Sequence, residues 1–285
     1  MKFLVTGATG RLGGKIVEFL AKKVPTTDII AGTTNPTSEK AQALKAQGFE
    51  VRKTDFEDQA SLVEAFTGVD KVYIVSTFPD VEMAIRQQTN IVEAAKQTGI
   101  QQMVYSSAPN ADVCDFFLAA HHRERENIIK ESGIPYVFVR NNRYVENELG
   151  KAQASINGAP WVTAAGDGQV GWVSRADLAE ATANVLAGNG HENKTYELGG
   201  ENLTQADFVA VLNEVTGEDI QVMHVDDEAF AETLKEKVPE QLASMLAMTQ
   251  IGIREGKSVN NSTDLEMLLG RKPMTVKDIL QPLFA

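Results

Sequence analysis

The sequence predicts an α/β fold: a doubly wound parallel sheet followed by a smaller, mostly helical C-terminal lobe. Three observations lead to this prediction. Short apolar runs alternate with helical patterns up to about residue 141. A glycine-rich turn follows the first apolar run, and helical patterns dominate after residue 141. Alternation of this kind is typical of βαβ units, which build a parallel sheet with helices on both faces.

The first part of the chain contains the strand and helix candidates in strict alternation. Strands are expected at residues 3–6, 29–33, 50–53, 71–75, 102–106 and 136–140. Helices are expected near residues 12–23, 37–47, 59–66, 81–98 and 116–132. Glycines stand where four of these helices should end, at Gly48, Gly68, Gly99 and Gly133.

In the second part of the chain, helical patterns no longer alternate regularly with strand patterns. Helices are expected near residues 144–155, 174–187, 204–216, 226–235, 238–248, 261–269 and 275–283. Strands are expected only near residues 195–198 and 220–225. We therefore divide the chain into a domain of residues 1–141 and a lobe of residues 142–285 that crosses back to the main sheet.

The glycine-rich turn, residues 7–13, lies between the first strand and the first helix, which is the context of a dinucleotide phosphate loop in a Rossmann-like fold. Gly7 permits a tight turn, Gly10 lets the backbone approach a pyrophosphate, and Gly13 lets helix and strand pack closely. Thr9, Arg11 and Leu12 belong to the same loop. The helix N-terminus offers N–H groups and partial positive charge to phosphates. Residues 1–141 are thus predicted to bind NAD(P), and residues 142–285 to bind the substrate.

The spacing Gly-x-x-Gly-x-x-Gly resembles the loop of extended and atypical short-chain dehydrogenases/reductases. In extended members an Asp and a following apolar residue line the adenine pocket, which implies this role for Asp55 and Phe56. The alternative for Asp55 is a turn or helix cap, for which Asp58 competes. Hydroxyl and amide residues at the ends of later strands are further candidates for holding the cofactor, namely Ser76, Thr77, Ser106 and Asn141.

The stretch after the second strand, which includes Thr34 and Asn35, decides between NADP and NAD. It carries no acid to select the ribose 2′-hydroxyl of NAD and no base to accept the 2′-phosphate of NADP. Arg11 and Lys40 are the nearby cations, so NADP(H) is favoured and NAD(H) remains open. The alternative for Arg11 is a solvated arginine in the first turn of the helix.

Composition excludes several classes of function. The net charge of −12 argues against nucleic acid and anionic membranes as partners. The sequence has no apolar stretch of bilayer-spanning length. The single cysteine, Cys114, fits a reducing cytoplasm and is interpreted as a bystander thiol. The four histidines lack metal-ligand spacing, so no metal is expected. A homodimer stays an open alternative.

The catalytic pair of most short-chain reductases, Tyr-x-x-x-Lys, is missing. Aligning Glu126 with the glutamate that commonly follows the lysine puts His122 at the lysine position and Leu118 at the tyrosine position. The general acid is therefore expected to be absent. His122 is predicted to contact ribose or nicotinamide, and the alternative is a histidine on the helix surface.

The sequence from Ser132 to Asn147, followed by Ala-Ala-Gly-Asp-Gly at 164–168 and Ser-Arg-Ala-Asp at 174–177, resembles the NmrA-like atypical family. Within that family it is similar to the bacterial NAD(P)H quinone oxidoreductase 2 type. The resemblance implies direct hydride transfer to a quinone without flavin. Thr34 departs from the family pattern, which has an arginine at this position.

A quinone substrate is consistent with the missing tyrosine, because the hydroquinone anion is far less basic than an alkoxide and needs only neutral donors. Asn142, Tyr144 and Asn147 are predicted to frame the quinone, with Phe78 as an apolar wall. Asn142 and Tyr144 join His122 as catalytic candidates. The alternatives are helix capping for Asn141 and Asn142, and simple packing for Tyr144.

Three functions are weighed. The first is an NAD(P)H-dependent quinone reductase. The second is a redox sensor that binds NAD(P) without turnover, as NmrA-type regulators do. The third, a sugar-nucleotide epimerase-like enzyme, rests on the glycine spacing alone and lacks a catalytic tyrosine.

Overall fold

A computed structural model describes residues 1–77, 80–114, 117–235 and 238–285. The chain divides into two compact units. The first unit consists of Met1–Asn141, Arg175–Glu197 and Asp264–Arg271, and the second consists of Asn142–Ser174, Leu198–Thr263 and Lys272–Ala285. The chain therefore leaves the first unit and returns to it twice.

The first unit is built on a seven-stranded sheet with the order β3-β2-β1-β4-β5-β6-β9. Its strands are β1 (Phe3–Val5), β2 (Ile29–Thr33), β3 (Glu50–Lys53), β4 (Lys71–Ile74), β5 (Gln102–Ser107), β6 (Tyr136–Asn141) and β9 (Lys194–Leu198). The pairings from β3 across to β6 are all parallel. This is the predicted doubly wound arrangement, with the strand order reversing beside β1.

Helices connect these strands. They are α1 (Arg11–Leu20), α2 (Glu39–Ala46), α3 (Gln59–Phe66), α4 (Val81–Thr98), α5 (Phe117–Glu131), α7 (Arg175–Ala187) and α11 (Asp264–Leu269), with a 3-10 turn at Thr26–Asp28. Ser38, Asp58 and Asp80 cap α2, α3 and α4 with side-chain oxygens. Gly99 ends α4 in the left-handed region, at φ +74°, as its place in the sequence predicts.

The core of the first unit lies on both faces of the sheet. Strands β1, β2, β4 and β5 are buried along their whole length, as expected of parallel strands covered on both sides. The largest fully buried side chains of this unit include Tyr73, Tyr105, Phe66 and Phe138.

The returning segments complete the first unit. Residues 175–197 supply α7, which packs against α1, and most of the edge strand β9. Lys71, at the start of β4, donates hydrogen bonds to the carbonyl oxygens of Leu186 (3.1 Å) and Gly188 (2.7 Å) at the end of α7. A lysine ammonium thereby satisfies carbonyl groups that the helix end leaves without partners.

The second unit is smaller and mostly helical. Its helices are α6 (Leu149–Ile156), α8 (Gln205–Thr216), α9 (Asp227–Leu234), α10 (Glu240–Arg254) and α12 (Val276–Phe284), preceded by a 3-10 turn at Val145–Asn147. Strand β8 (Val170–Trp172) pairs with β10 (Glu201–Leu203) antiparallel, and β7 (Trp161–Thr163) pairs with β11 (Val222–His224) in parallel. The core centres on Trp161, Trp172 and Phe208, all fully buried.

The elements predicted for residues 1–141 agree with the structure within a few residues. The second unit departs further. The helix expected at 144–155 is a 3-10 turn followed by α6, α10 continues to Arg254, and the short strands β7, β8 and β10 were not predicted. Strands of three residues are too short to show a period of two, so the sequence carried no signal for them.

Candidate active site

The glycine loop, residues 7–13, is shaped by steric contacts that only glycine tolerates. Gly7 has φ +64°, and a Cβ there would stand 2.8 Å from Cγ1 of Val75. A Cβ on Gly13 would stand 2.3 Å from the carbonyl oxygen of Gly7. The amide of Gly10 donates to that same carbonyl at 2.8 Å. The loop is therefore drawn tightly onto the first turn of α1, as the glycine spacing predicts.

The N-terminus of α1 has no anionic partner of its own. Gly10 occupies the cap position in an extended conformation, no side chain caps the helix, and the first turn contains no acid. In contrast, the next three helices are capped by Ser38, Asp58 and Asp80. The amides and positive dipole end of α1 therefore suit an external anion, which fits the pyrophosphate of a dinucleotide.

The residues that would read the adenosine ribose lie beside this loop. Thr9 Oγ1 lies 3.0 Å from Thr33 Oγ1, so the loop is tied to the end of β2. Thr34 is exposed. The Asn35 side chain accepts hydrogen bonds from the amide (3.1 Å) and the hydroxyl (2.7 Å) of Thr37, so its carbonyl oxygen serves the turn before α2.

Two cations border the glycine loop. Arg11 is exposed and makes no hydrogen bond or ion pair within the described part of the chain. Lys40 lines a cavity of 260 Å³ together with Thr9 and Gly10, where α1 faces α2. Lys40 therefore faces the space beside the loop, and Arg11 is an exposed cation of the loop itself.

The carboxylates in the segment after β3 cap a helix, close a turn and pair with a lysine. Asp58 caps α3 by accepting from the amide of Ser61, and Asp55 accepts from the amide of Glu57 at 3.1 Å. Lys53 lies between the two carboxylates, 3.7 Å from Asp55 and 3.0 Å from Asp58. The Phe56 ring belongs to the buried core. The adenine role of Asp55 and Phe56 stays a prediction.

Hydroxyl groups join the carboxyl ends of β4 and β5. Ser106 Oγ accepts a hydrogen bond from the amide of Ser76 at 2.8 Å and donates to Ser76 Oγ at 3.3 Å. Thr77 Oγ1 donates to Gln87 at 2.8 Å. Asn141, at the end of β6, is buried. The four candidates thus stand at the carboxyl edge of the sheet, where ligands of such folds bind.

His122 is buried within α5, so the interpretation as a surface histidine is wrong. Its Nδ1 lies 2.9 Å from the hydroxyl of Tyr105. Arg125, one turn further along α5, donates to the Thr77 carbonyl at 2.8 Å and to the Tyr105 hydroxyl at 3.4 Å. We call Tyr105, His122 and Arg125 the His122 network.

Burial keeps two side chains of the His122 network, His122 and Tyr105, in their uncharged forms. Burial, assisted by the positive charge of Arg125, lowers the pKa of His122 to about 3. Burial raises the pKa of Tyr105 to about 12, against the opposing effect of Arg125. At neutral pH, His122 is therefore an uncharged imidazole and Tyr105 a protonated phenol.

Next to this network lies a buried ionic cluster that sequence reasoning did not anticipate. Arg140 binds Glu126 through two hydrogen bonds, of 2.9 Å from Nε and 2.8 Å from Nη2. Its Nη1 also reaches Asp112 at 2.6 Å and Glu197 at 2.9 Å. Glu126 additionally accepts from Ser107 at 2.6 Å. Burial opposes the charge of Arg140, but hydrogen bonds to Glu126 and Glu197 outweigh it and hold its pKa above the ordinary value.

Tyr105, Arg125 and Arg140 were not among the candidates predicted from the sequence. A signal for two of them was present. Arg125 stands three residues after His122, which places both on one face of a helix. Arg140 directly follows the apolar residues of β6, where an unpaired charge would be costly and a buried acid is therefore expected.

The predicted substrate residues belong to the second unit. The side-chain nitrogen Nδ2 of Asn142 donates to the Ser258 carbonyl at 3.0 Å, and the side-chain oxygen Oδ1 accepts from the backbone amide of Arg143 at 2.8 Å. These bonds hold the turn, and Asn142 caps no helix. Tyr144 is half-buried and Asn147 is exposed. The substrate roles of these residues stay predictions.

Two of the predicted positions lie outside the description. Phe78 is not among the described residues, and the side chain of Leu118 is not described. Within the described residues, no group of three or more His, Cys, Asp and Glu side chains is arranged to hold a metal ion. The same part of the chain contains no helix long and apolar enough to cross a membrane. Cys114 is a buried free thiol.

Comparisons with known proteins give a consistent result. The sequence model of the NmrA-like family matches residues 1–280. Quinone oxidoreductase 2 of Escherichia coli (strain K12) is 38% identical over 282 residues, which cover 98% of each chain. The crystal structure of the E. coli NADPH-dependent quinone oxidoreductase complexed with NADPH superposes with a TM-score of 0.94 at 37% identity, covering 99% of this chain and 100% of that one. Triphenylmethane reductase of Citrobacter sp. complexed with NADP(H) gives a TM-score of 0.92 at 36% identity, with coverage of 99% and 100%.

Proposed function

The chain belongs to the NmrA-like family, and from this premise we propose that it is an NAD(P)H-dependent oxidoreductase that transfers hydride directly to a quinone, without flavin or metal. The observation that carries the proposal is the end-to-end similarity to an E. coli quinone oxidoreductase whose structure holds NADPH. The open N-terminus of α1 behind the glycine loop supplies the phosphate site that such a cofactor needs.

Different residues of this chain bind the pyrophosphate and the nicotinamide half of the cofactor. The amides at the start of α1 hold the pyrophosphate, and Gly7, Gly10 and Gly13 let the backbone come close. Ser76, Ser106 and Asn141 stand where the nicotinamide half would pass along the carboxyl edge of the sheet. Reduced nicotinamide, when bound, supplies the hydride.

The chain itself offers no strong proton donor at the predicted position. Leu118 replaces the tyrosine of the usual pair, and His122 with a pKa of about 3 is neutral at physiological pH. His122 therefore acts as a neutral hydrogen-bonding group that orders the site. A quinone tolerates this, because the hydroquinone anion is a weak base that water protonates.

A direct assay tests the proposal. Protein, NADPH and 1,4-benzoquinone are mixed without flavin, and nicotinamide absorbance is followed. We expect quinone-dependent oxidation that Gly10→Asp abolishes, because the new carboxylate repels the pyrophosphate. Circular dichroism checks that the variant is folded. NADPH binding without any quinone-dependent oxidation would contradict the proposal.

That outcome would instead favour the second candidate, a redox sensor that holds the cofactor without turnover. The observation in its favour is the neutral, buried His122 together with Leu118 at the tyrosine position. The third candidate, an epimerase-like enzyme, would need a catalytic tyrosine where this chain has Leu118.

We also propose that NADP(H) is the preferred cofactor. Thr34 supplies no charge, so Arg11 and Lys40 are left to bind the 2′-phosphate. Arg11→Ala should lower the ratio of kcat/KM for NADPH to that for NADH about tenfold, which corresponds to ~1.4 kcal/mol. Lys23→Ala, which changes an exposed lysine away from the cavity, serves as the control. An unchanged ratio in Arg11→Ala would remove Arg11 from the 2′-phosphate site.

The proposal also covers the partner, the localisation and the oligomeric state of the protein. The partner is a small quinone-like molecule, and neither nucleic acid nor a membrane is needed. Cytoplasmic localisation is supported by a single, buried cysteine. A homodimer remains compatible with the proposal.

A further inference from the structure

Two cations in the second unit, Arg143 and Lys151, interact electrostatically with the carboxylate of Glu148. Arg143 Nη2 lies 3.2 Å from Glu148 Oε1. Lys151 follows one turn after Glu148, is half-buried, and makes no hydrogen bond or ion pair with any residue that the structure describes. The local charge of this group is therefore an excess of one positive unit, in a chain whose net charge is −12.

Both cations lie over buried indole rings. The Lys151 ammonium is 4.1 Å from the centre of the Trp161 ring, and the Arg143 guanidinium carbon is 5.9 Å from that of Trp172. The two tryptophans are fully buried. Cation–π attraction and packing thus fix each charge in place, and they replace water on one side of it.

Each cation also has a donor group without an acceptor among the described residues: Nε of Arg143 and the ammonium of Lys151. Nε of Arg143 is buried without a partner. Burial lowers the pKa of Lys151 to about 8, while Glu148 opposes this shift and Arg143 adds to it. Donors held in place without acceptors are costly in a folded protein unless a ligand or water completes them.

We propose that Arg143 and Lys151 form a subsite for a monoanionic substituent, a carboxylate or a sulfonate, on the aromatic electron acceptor. Both residues come from the segment that also carries Asn142, Tyr144 and Asn147, the residues predicted to frame the quinone. A single negative charge matches the single excess positive charge. The inference rests on the proposed function for the identity of the acceptor, but the subsite can be tested by binding alone.

The test compares two matched probes, anthraquinone-2-sulfonate and the neutral 2-(hydroxymethyl)anthraquinone. Calorimetry measures their Kd values for the full chain saturated with NADP⁺, so that no turnover occurs. We expect the sulfonate to bind at least tenfold more tightly than the neutral probe. This preference should fall as sodium chloride is raised, since salt screens charge.

Variants assign the preference to the subsite. Lys151→Met keeps the stem over Trp161 but removes the charge, and it should reduce the preference about tenfold. Lys151→Arg should restore it. Lys277→Met is the control, because Lys277 is exposed on α12 and pairs with Glu214. The Lys277→Met preference should equal that of the wild type.

The proposal is overturned if the wild type shows no preference for the sulfonate, or if Lys151→Met keeps the full preference. Should Lys151→Met fail to fold, the salt dependence of the wild-type preference decides, and a preference insensitive to salt overturns the subsite. Turnover of 1,4-benzoquinone without sulfonate preference defeats the subsite alone. Sulfonate preference without turnover of either quinone defeats the proposed function and leaves the anion subsite standing.

Discussion

The glycine loop and the His122 network both lie at the carboxyl edge of the same sheet, yet they are built on different principles. The loop is a run of consecutive residues whose function depends on missing side chains and on backbone groups. The network joins the side chain of a strand residue, Tyr105, to His122 and Arg125 on a helix. The first prepares a site for an anion, and the second fills a buried space with polar side chains that bind one another.

The difference teaches where each kind of site tolerates change. A backbone site fails when an atom is added, because its walls are main chain that cannot turn aside. A side-chain network fails when an atom is removed, because each buried partner loses its hydrogen bond. Substitutions in the two regions should therefore differ in kind as well as in magnitude.

The largest effect is expected in the ionic cluster next to the network. Glu126→Ala removes the acceptors of the buried Nε and Nη2 of Arg140, while Nη1 keeps Asp112 and Glu197. The free energy of unfolding should fall by about 4 kcal/mol, measured by urea denaturation. Glu93→Ala, which breaks an exposed pair with Lys96, should leave stability nearly unchanged. Equal losses in both variants would show that burial of the cluster contributes nothing.

The next effect belongs to the loop. Gly13→Ala places a Cβ against the Gly7 carbonyl, so strand and helix must separate. We expect a loss of about 3 kcal/mol in stability and at least tenfold weaker NADPH binding by calorimetry. Gly150→Ala, whose Cβ would meet open space in α6, should instead raise stability by about 0.5 kcal/mol. Unchanged NADPH affinity in Gly13→Ala would refute the steric account of the loop.

A smaller effect appears only in acid. The folded pKa of His122, about 3, is below its unfolded value of 6.5, so the unfolded chain binds more protons between these limits. The stabilisation from neutral His122 is therefore complete above pH 6.5 and is lost as pH falls towards 3. By pH 5 the loss should reach about 2 kcal/mol. His122→Gln, which cannot titrate, should flatten this part of the stability curve.

The control for this experiment is His224→Gln, since His224 is exposed on β11. It should keep the wild-type slope between pH 6.5 and 4. If His122→Gln also keeps that slope, the network does not hold a neutral imidazole.

The smallest effect tests a side-chain hydrogen bond that fastens the loop to the end of β2. Thr33→Val removes the partner of Thr9 Oγ1 and should cost about 1 kcal/mol, measured by thermal unfolding. Thr34→Val changes the exposed neighbour and should have no such cost. If the two variants lose equal stability, the Thr9–Thr33 bond does not fasten the loop.

The sequence allowed the sheet and the glycine loop to be predicted because their signals are local. Strands such as β1 and β2 are short apolar runs, and Gly7 and Gly13 are needed by the backbone at their own positions. The NmrA-like resemblance was equally readable, since its motifs are contiguous. That resemblance predicted the family and the quinone oxidoreductase activity of a relative correctly.

The His122 network could not be predicted in the same way. Whether His122 is buried depends on how α5 packs on β5. The sequence of α5 alone does not indicate that the hydroxyl of Tyr105 is its partner. The roles of Asn142 also depended on a distant residue, since its amide binds the carbonyl of Ser258. Such partners are set by tertiary packing, which periodicity and spacing do not encode.

Lys71 has a consequence for how the molecule is made. Its ammonium holds carbonyls of residues 186 and 188, and β9 and α11 arrive later still. During translation, the edge of the sheet beside β6 stays unpaired until β9 has left the ribosome. A nascent chain halted at residue 141 would have its glycine loop but neither α7 against α1 nor the edge strand beside β6. The glycine loop is therefore translated before α7 and β9, the elements that complete its unit.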